Sequence, residues 1–402
     1  MRPNAQAATT DTPHAPQTTP TAAPPAAPER IGSARLARRA LLGGGLAAGA
    51  AALASWPAHA SGPAPAPATP TRATTHPARR HPTPTGDVLA VVQKSGHGLA
   101  FHDTASGELL ARIPLEHYPH EVVADAARRY AYVGHYGVRM SGDPGPGGTG
   151  VWMVDLRARQ LVRTLPTDPF RRIHGLAIDR HDRLYALPET DAVLLGYDEP
   201  RTATAPSRTL PTGGAKTHLL TVSPDGERAY VTGLDSGTVS LLHPHDPMVP
   251  PVVATPGPRP EGCCLSADGR TLYVGVRGNG TVVALDATTL AVTGSYDTAG
   301  GDPLRVYAAG PAAPGLLLVT DIVRRTLTLL DPALRPLATI ALAGLPSALS
   351  LHPHRPLAYV SELDTGRVTL VDLERRCTTG GFAVDGEPDS SILLPAPATG
   401  RS

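Results

Sequence analysis

Three histidines and a glutamate recur along the chain, each near the start of a short apolar segment: His120, His174, His218 and Glu261. Three imidazoles and one carboxylate from neighbouring strands could bind Zn²⁺ or a similar divalent metal and leave a coordination position for water or substrate. A short ligand spacing such as His-x-x-x-His is missing, so the alternative is a set of hydrogen-bonding residues that face a water-filled channel. A divalent metal is thus one of two interpretations, and the cofactor stays undetermined.

The same histidines could also act without a metal. His174 or His218, placed beside a cationic side chain, could serve as a general base that activates water or removes a proton. The folded part of the sequence has no Gly-x-Ser-x-Gly motif, so it offers no serine nucleophile of that kind. The candidates for catalysis are therefore these two histidines.

The four positions belong to a longer series that continues with Arg305, Ser347 and Asp389. The intervals along the whole series are 54, 44, 43, 44, 42 and 42 residues. A period of this size, with four strand-like segments per unit, is typical of a β-propeller, in which four-stranded blades surround a central channel. The sequence therefore predicts an all-β, seven-bladed β-propeller, with these seven residues, the ring residues, at one mouth of the channel.

The clearest repeat unit covers residues 219–242. Its apolar segments at 219–223, 229–233 and 238–242 are separated by Pro-Asp-Gly and Asp-Ser-Gly turns. The Tyr-Val-Thr-Gly sequence at 230–233, preceded by Ser-Pro-Asp-Gly at 223–226, resembles the YVTN-repeat, YncE-like family of seven-bladed β-propellers, and the resemblance covers residues 87–395. The Trp-Asp pairs of WD40 repeats are missing. Related propellers include lactonase-like hydrolases and a streptogramin-lyase-like group, so the resemblance implies lactone opening if the protein is an enzyme.

Two irregularities of the repeat carry information. The first strand-like segment, 88–92, aligns with a second strand of a blade, and residues 391–394 supply the strand that it lacks. We therefore expect the C-terminal strand to join the first blade and close the ring. A Gly/Pro-rich insertion at 138–150 accounts for the long first interval and is predicted to overhang the mouth; a flexible surface loop is the alternative.

Further polar residues are expected on the same face of the propeller. Four lie two positions before a ring residue: Arg172, Lys216, Arg259 and Glu387. Others lie at the ends of second strands or in the loops after them: His97, His135, Glu189, Asp235, Arg277, Asp321 and Glu362. The basic side chains could hold a carboxylate or phosphate, and the acidic ones could accept hydrogen bonds from hydroxyl groups.

The first 86 residues are expected to lie outside the folded domain. Residues 1–60 combine a disordered Ala/Pro/Thr-rich n-region with Arg-Arg-Ala-Leu-Leu at 38–42, an uncharged run and Ala-His-Ala at 58–60. This order resembles a twin-arginine signal peptide, with an ordinary Sec signal as the alternative. Residues 61–86 form a Pro/Ala/Thr-rich linker, 87–396 the propeller and 397–402 a tail. The mature protein is predicted to be secreted or extracytoplasmic, with no membrane span after signal cleavage.

Charge and composition limit the partners. The formal net charge is only +1, which does not favour nucleic acid as a partner. We expect a monomer that binds a small molecule or a cell-envelope component at the polar mouth, without an established reaction. The alternative is a metal-assisted or histidine-based hydrolase or lyase that acts on a lactone-like or sugar-derived substrate.

Overall fold

The computed structural model describes residues 86–396, which form four-stranded antiparallel sheets. The described chain begins with β1 (Val88–Gln93), β2 (Gly98–Asp103) and β3 (Leu109–Pro114). Blade 1 contains β4 (Pro119–Ala124), β5 (Tyr130–His135), β6 (Val151–Asp155) and β7 (Gln160–Leu165). Blade 2 contains β8 (Ile173–Ile178), β9 (Leu184–Pro188), β10 (Val193–Tyr197) and β11 (Arg208–Pro211). Blade 3 contains β12 (Thr217–Val222), β13 (Ala229–Gly233), β14 (Thr238–Leu242) and β15 (Val252–Ala254).

The second half of the described chain repeats this arrangement. Blade 4 contains β16 (Pro260–Leu265), β17 (Thr271–Val276), a 3-10 turn (Arg277–Asn279), β18 (Thr281–Asp286) and β19 (Val292–Asp297). Blade 5 contains β20 (Pro303–Ala308), β21 (Leu317–Asp321), β22 (Thr326–Leu330) and β23 (Pro336–Ala341). Blade 6 contains β24 (Pro346–Leu351), β25 (Leu357–Glu362), β26 (Arg367–Asp372) and β27 (Cys377–Ala383). The last strand is β28 (Pro388–Leu394), and the predicted seven-bladed propeller is confirmed.

Blade 7 contains both ends of the described chain. Its strand order is β28, β1, β2, β3, and β28 pairs with β1 through partners such as Leu89 and Leu393. The predicted closure by the C-terminal strand is therefore correct. The predicted signal peptide, nearly all of the linker and the tail at 397–402 lie outside the described residues. Within residues 86–396, no helix is long and apolar enough to cross a membrane.

The core lies between the blades. Buried apolar side chains form clusters that each join two neighbouring blades, and together these clusters follow the ring around all seven interfaces. Second strands such as β1 are buried along their whole length, whereas outer strands such as β19 and β27 are mostly exposed. The neighbouring blades cover both faces of such a strand, so its side chains are apolar throughout instead of alternating between apolar and polar. The blades thus stabilise one another around the channel.

A β-bulge opens the innermost strand of every blade. In β4, Pro119 pairs with His135 and Val122 with Val133, so His120 and Glu121 share the space opposite one residue. Such bulges redirect side chains. In blade 1 the first bulge residue, His120, faces the mouth of the channel, and the second, Glu121, faces the channel at a deeper level.

The position of the bulge in blade 5 shows that Leu304, and not Arg305, is equivalent to the other ring residues. In β20, Pro303 pairs with Asp321 and Arg305 with Thr320, so Leu304 directly follows the first pair, as His120 does in blade 1. Leu304 is 43 residues from Glu261 and 43 from the ring residue of blade 6, which is more regular than the spacing of Arg305. Arg305 therefore belongs to the next layer along the channel, although it also reaches the mouth.

Ring closure should contribute measurably to stability. Leu393→Ala removes a side chain that is 1% exposed between blades 6 and 7. Loss of buried methylene groups and the remaining cavity should lower the free energy of unfolding by about 2–5 kcal/mol in chemical denaturation. Leu337→Ala, on outer strand β23 and 38% exposed, is the matched control, and a change of about 0.5 kcal/mol or less is expected. Equal effects of the two substitutions would contradict the importance of closure.

Candidate functional site

The mouth cavity lies where the innermost strands begin. It has a volume of about 170 Å³, and all seven ring residues line it together with residues that follow the second strands. The structure thus brings to one cavity side chains that are up to 295 residues apart in the chain, from Lys94 to Asp389. Most of its lining comes from the bulge residues and from the residues after the second strands.

Three histidines from consecutive blades pack ring against ring in a column, the histidine stack, although the rings are tilted by 53° and 30° rather than parallel. The ring centroids of His120 and His174 are 4.0 Å apart, and those of His174 and His218 are 3.6 Å apart. Tyr136 contacts the first two rings edge-on, at 5.2 and 4.9 Å. All three imidazoles are buried. The stack therefore concentrates three titratable groups on one side of the cavity, where their neighbours decide which of them is charged.

His218 is the charged member of the stack. Its Nδ1 lies 3.1 Å from Glu189 Oε1, and its Nε2 lies 3.3 Å from Glu261 Oε1. Burial alone would lower the pKa of His218, but the two carboxylates outweigh it and raise the pKa above its usual value. The imidazolium accordingly bridges two carboxylates, with both nitrogens acting as donors.

His174 is held neutral by its surroundings. Burial, and then the positive charge of its neighbour His218, lower its pKa well below 6.5. Its Nδ1 lies 3.0 Å from the carbonyl oxygen of His218, which can only accept, so Nδ1 carries the proton. Among the described residues, no group makes a hydrogen bond to Nε2. This nitrogen is therefore a free acceptor or base in a residue that lines the cavity.

His120 lies between a cation and a carboxylate. Its Nε2 is 2.9 Å from Lys94 Nζ, and its Nδ1 is 3.1 Å from Asp389 Oδ2. Burial lowers the pKa of His120, although Asp389 opposes this effect, so Nε2 accepts from the ammonium group. The 3.1 Å contact is not aligned as a hydrogen bond, and within residues 86–396 both of its atoms lack an aligned partner. A donor and an acceptor are therefore unsatisfied at this point.

Each cation in the cavity wall has an anionic partner. Lys94 Nζ lies 3.5 Å from Asp389 Oδ2. Arg277 forms a 2.6 Å contact with Glu261 and a further 2.6 Å contact with Asp302. His218, as described above, faces two carboxylates. The mouth cavity is consequently rich in charge but has no surplus cation among the described residues.

Arg305 closes the channel below the mouth. Its Nη2 is 2.5 Å from Glu121 Oε1, and both side chains are largely buried. Burial lowers the pKa of Arg305, but Glu121 and other carboxylates raise it more, so the guanidinium stays charged. On the far side of this ion pair lies a second cavity of about 570 Å³, lined mainly by apolar strand residues. The pair therefore separates two cavities along one channel.

The insertion at 138–150, the lid loop, lies over one side of the mouth. Arg172 donates to the carbonyl oxygens of Asp143 and Gly145 at 2.6 and 2.7 Å. Arg139 forms an ion pair with Glu387, at the start of the closing blade. Met140 and Ser141 of the loop line the mouth cavity. The predicted overhang is therefore found, with the loop tied down on two sides.

Glu189 connects the lid loop to the histidine stack. This carboxylate is fully buried and accepts hydrogen bonds from Ser141 Oγ at 2.6 Å and from Tyr136 Oη at 2.8 Å, besides facing His218. Burial raises its pKa, but these donors and the imidazolium outweigh that effect and lower the pKa to about 2. Glu189 is therefore ionised at neutral pH.

Several predicted ligand residues lie away from the mouth cavity. Arg172, Lys216 and Arg259 adopt left-handed backbone conformations with φ of 54°, 54° and 55°. Arg172 holds the lid loop, as described above. Lys216 lines an outer groove beside that loop, and Arg259 is exposed in another groove. The residue two positions before the ring is thus a turn position, and the mouth cavity receives none of these three side chains.

Residues at the ends of second strands are also directed elsewhere. His135 stacks on Trp152, and its Nδ1 lies 3.1 Å from the carbonyl oxygen of Thr149. Glu362 accepts hydrogen bonds from the Gly344 amide and the Thr369 hydroxyl, both at 2.5 Å. The side chains that face the cavity come one position later, since successive residues of a strand point to opposite sides. They include Lys94, Tyr136, Arg277, Ile322 and Leu363.

The mouth cavity also contains residues that the sequence pattern did not reveal. Lys94, Tyr136 and Ser141 are the polar ones. Alignment of the residue directly after each second strand would have found Lys94 and Tyr136, but Ser141 depends on the path of the lid loop. Four apolar residues complete the wall: Leu304, Ile322, Leu345 and Leu363.

The predicted metal ligands do not fit a metal site in this arrangement. His120, His174, His218 and Glu261 use their polar atoms on one another, on Glu189 or on Lys94, and the rings stack instead of directing nitrogens to a common point. Within residues 86–396, no group of three or more His, Cys, Asp or Glu side chains is arranged to hold a metal ion. Metal binding stays a prediction.

Comparisons with known proteins support the fold. No family model matches the chain, and no curated protein matches its sequence significantly. The periplasmic gluconolactonase of Pseudomonas aeruginosa is 16% identical with a TM-score of 0.62, over 78% of this chain and 99% of that one. A Bacteroides fragilis structure with a provisional 6-phosphogluconolactonase assignment is 13% identical with a TM-score of 0.62, over 77% and 98%. The dihydro-heme d1 dehydrogenase NirN is 16% identical with a TM-score of 0.55, over 78% and 67%.

At these identities the similarity concerns the fold alone. The chain shares its propeller with structures of lactonases, and also with a dehydrogenase. The YVTN-repeat resemblance stays a prediction, because no family model matches.

Glu189→Gln should make the free energy of unfolding depend less on pH in the acidic range. The folded pKa of about 2 lies below the ordinary 4.5, so the carboxylate stabilises the fold above about pH 4.5, and this contribution is lost as the pH falls towards 2. In urea unfolding we expect the variant to be about 3 kcal/mol less stable than the wild type at pH 7, with the difference shrinking below pH 4.5. Glu374→Gln, on an exposed turn, is the control. A pH-independent difference would contradict ionisation of Glu189 in the folded protein.

Proposed function

We propose that the protein binds a small, uncharged, hydroxyl-rich molecule in the mouth cavity. The pairing of charges carries this proposal, because each cation of the wall already faces a carboxylate. Among the described residues that line the cavity, the groups left without an aligned partner are single polar atoms, namely His174 Nε2, His120 Nδ1, Arg305 Nε and Asp389 Oδ2. Hydroxyl groups both donate and accept, so they suit such a mixed set.

An anionic ligand is disfavoured on the same grounds. A carboxylate or phosphate would need to take a cation such as Lys94 or Arg277 away from its partner. Leaving a buried carboxylate without its cation costs about 3–5 kcal/mol. Of the basic residues expected to hold an anion, Arg277 and Arg305 therefore form internal ion pairs, which favours neutral polyols and sugars over anions.

Hydrolysis of a lactone is the second candidate, favoured by the neutral imidazole of His174. In this reaction Nε2 would take a proton from water, and the water oxygen would form a bond to the lactone carbonyl carbon. The ring C–O bond would then break, and the imidazolium would return the proton to the leaving alkoxide, which gives a hydroxy acid. The structural similarity to a gluconolactonase supports this candidate.

Two neutral ring compounds test the candidates separately. Calorimetric titration should detect binding of methyl β-D-glucopyranoside to the wild type, and binding about tenfold weaker to His174→Ala, because one hydrogen bond is lost. Hydrolysis of glucono-δ-lactone, followed by acid release, should fall about 10²–10⁴-fold in His174→Ala if Nε2 is the base. His354→Ala, which removes an exposed imidazole, should change neither.

The outcomes separate the two candidates. Binding of the glucoside without lactone hydrolysis would support the first candidate and remove the second. Hydrolysis that survives His174→Ala would remove the base assigned here. If the wild type neither binds the glucoside nor opens the lactone, the proposed ligand class is wrong.

We further propose that the protein acts outside the cytoplasmic membrane. Support comes from the signal-like order of residues 38–60, and the gluconolactonase of similar fold is described as periplasmic. Expression of the whole chain in a host with twin-arginine export should yield mature protein that begins near Ser61, as read by N-terminal sequencing. Replacing Arg38 and Arg39 by lysine should retain the precursor inside the cell, whereas Arg79→Lys and Arg80→Lys should not. Export of the Arg38/Arg39 variant would favour the Sec alternative.

A further inference from the structure

The mouth cavity is polar on one side and apolar on the other. Blades 7, 1, 2 and 4 present polar side chains both at the bulge and directly after the second strand. Blade 5 presents Leu304 and Ile322 at these two positions, and blade 6 presents Ser347 and Leu363. Leu345, in the loop before β24, extends the same side. We call Leu304, Ile322, Leu345 and Leu363 the apolar wall.

The apolar wall is not part of the packed core. Its four side chains are only partly buried, and none belongs to the clusters between blades. Equivalent positions in the other blades show that polar residues fit here, for example Lys94 or Arg277. Partly exposed leucine and isoleucine around a small cavity leave apolar surface against water, which a ligand with an apolar portion would cover.

The lid loop adds a second apolar contribution. Met140, 47% exposed, lines the same cavity, and its thioether side chain is flexible enough to follow ligands of different shape. Arg139 fixes the neighbouring backbone to the closing blade through Glu387. Met140 is therefore held at the mouth, with about half of its surface exposed to solvent.

From this asymmetry we infer that the ligand is a neutral hydroxylated ring that carries a short alkyl substituent. This inference rests on the proposed function: the hydroxyl groups would bind along the histidine stack, and the alkyl group would contact the apolar wall. An alkyl glycoside has this chemistry, and so has an alkyl-substituted hydroxylactone. A free sugar would leave the wall uncovered. The wall thus selects for the substituent, and the polar side selects for the ring.

A matched pair of probes tests the inference. Methyl and n-butyl β-D-glucopyranoside have the same hydroxylated ring and differ only in alkyl length. Calorimetric titration of the wild type should show about tenfold tighter binding of the butyl compound, since burial of three more methylene groups is favourable. In Ile322→Thr, which places a hydroxyl in the apolar wall, this preference should fall to about twofold or less.

The adjacent residue supplies the control. Val323→Thr makes a similar β-branched change one position along the chain, at a side chain that is 65% exposed, so the butyl preference should stay about tenfold. Thermal unfolding of each variant checks that the fold is intact. If neither glucoside binds the wild type, the proposed function fails. If the methyl compound binds and the butyl compound binds no tighter, or if Ile322→Thr keeps the preference, the apolar wall has no role in selection and this inference is overturned.

Discussion

The bulge at the start of each innermost strand is the constraint on which the site depends. Two residues share the space opposite one, so consecutive side chains can both face the channel, at different depths. In blade 1 these are His120, at the mouth, and Glu121, which reaches Arg305 deeper in the channel. Without the bulge, neighbouring residues would point to opposite faces of the blade. Sevenfold repetition of this one local irregularity builds both the floor of the mouth cavity and the ion pair beneath it.

Charge pairing then determines what the floor can do. The carboxylates of Glu189 and Glu261 keep His218 protonated, and that positive charge helps to keep His174 neutral. The two stacked imidazoles therefore differ in charge because their neighbours differ. Glu189 also accepts from Ser141 of the lid loop, so the same carboxylate fixes the charge of the stack and the position of the loop above it. Electrostatics and shape are coupled through one buried residue.

The fold could be predicted from the sequence because a propeller repeats its signal. Seven copies of one period, and a first strand without its partner, were sufficient for the blade number and the closure. The site could be predicted only in part. The spacing located the histidine stack, but in blade 5 it favoured charged Arg305 over Leu304, which occupies the equivalent place. His135 and Glu362 were predicted to face the cavity, but the residues that do so come one position later. The sequence does not define the end of a second strand to within one residue.

The cavity residues that the repeat pattern missed could not be predicted for a common physical reason. Lys94 and the apolar wall have types that are common anywhere in a soluble protein, so only their place around the channel gives them meaning. Ser141 and Met140 line the cavity because of the path of the lid loop. That path depends on the hydrogen bonds of Arg172 and on the ion pair between Arg139 and Glu387, which are far apart in the sequence. Periodicity reveals what the blades have in common, whereas specificity here arises from where the blades differ.

The low pKa of His174 also favours one of the two candidate functions over the other. A general base removes a proton most effectively when its pKa is near the working pH, and the pKa of His174 lies well below its ordinary value. An acceptor of a hydrogen bond needs only to stay unprotonated, and a low pKa ensures this over a wide range of pH. The same neighbours that weaken His174 as a base therefore preserve it as an acceptor. For this reason ligand binding is the first candidate and hydrolysis the second.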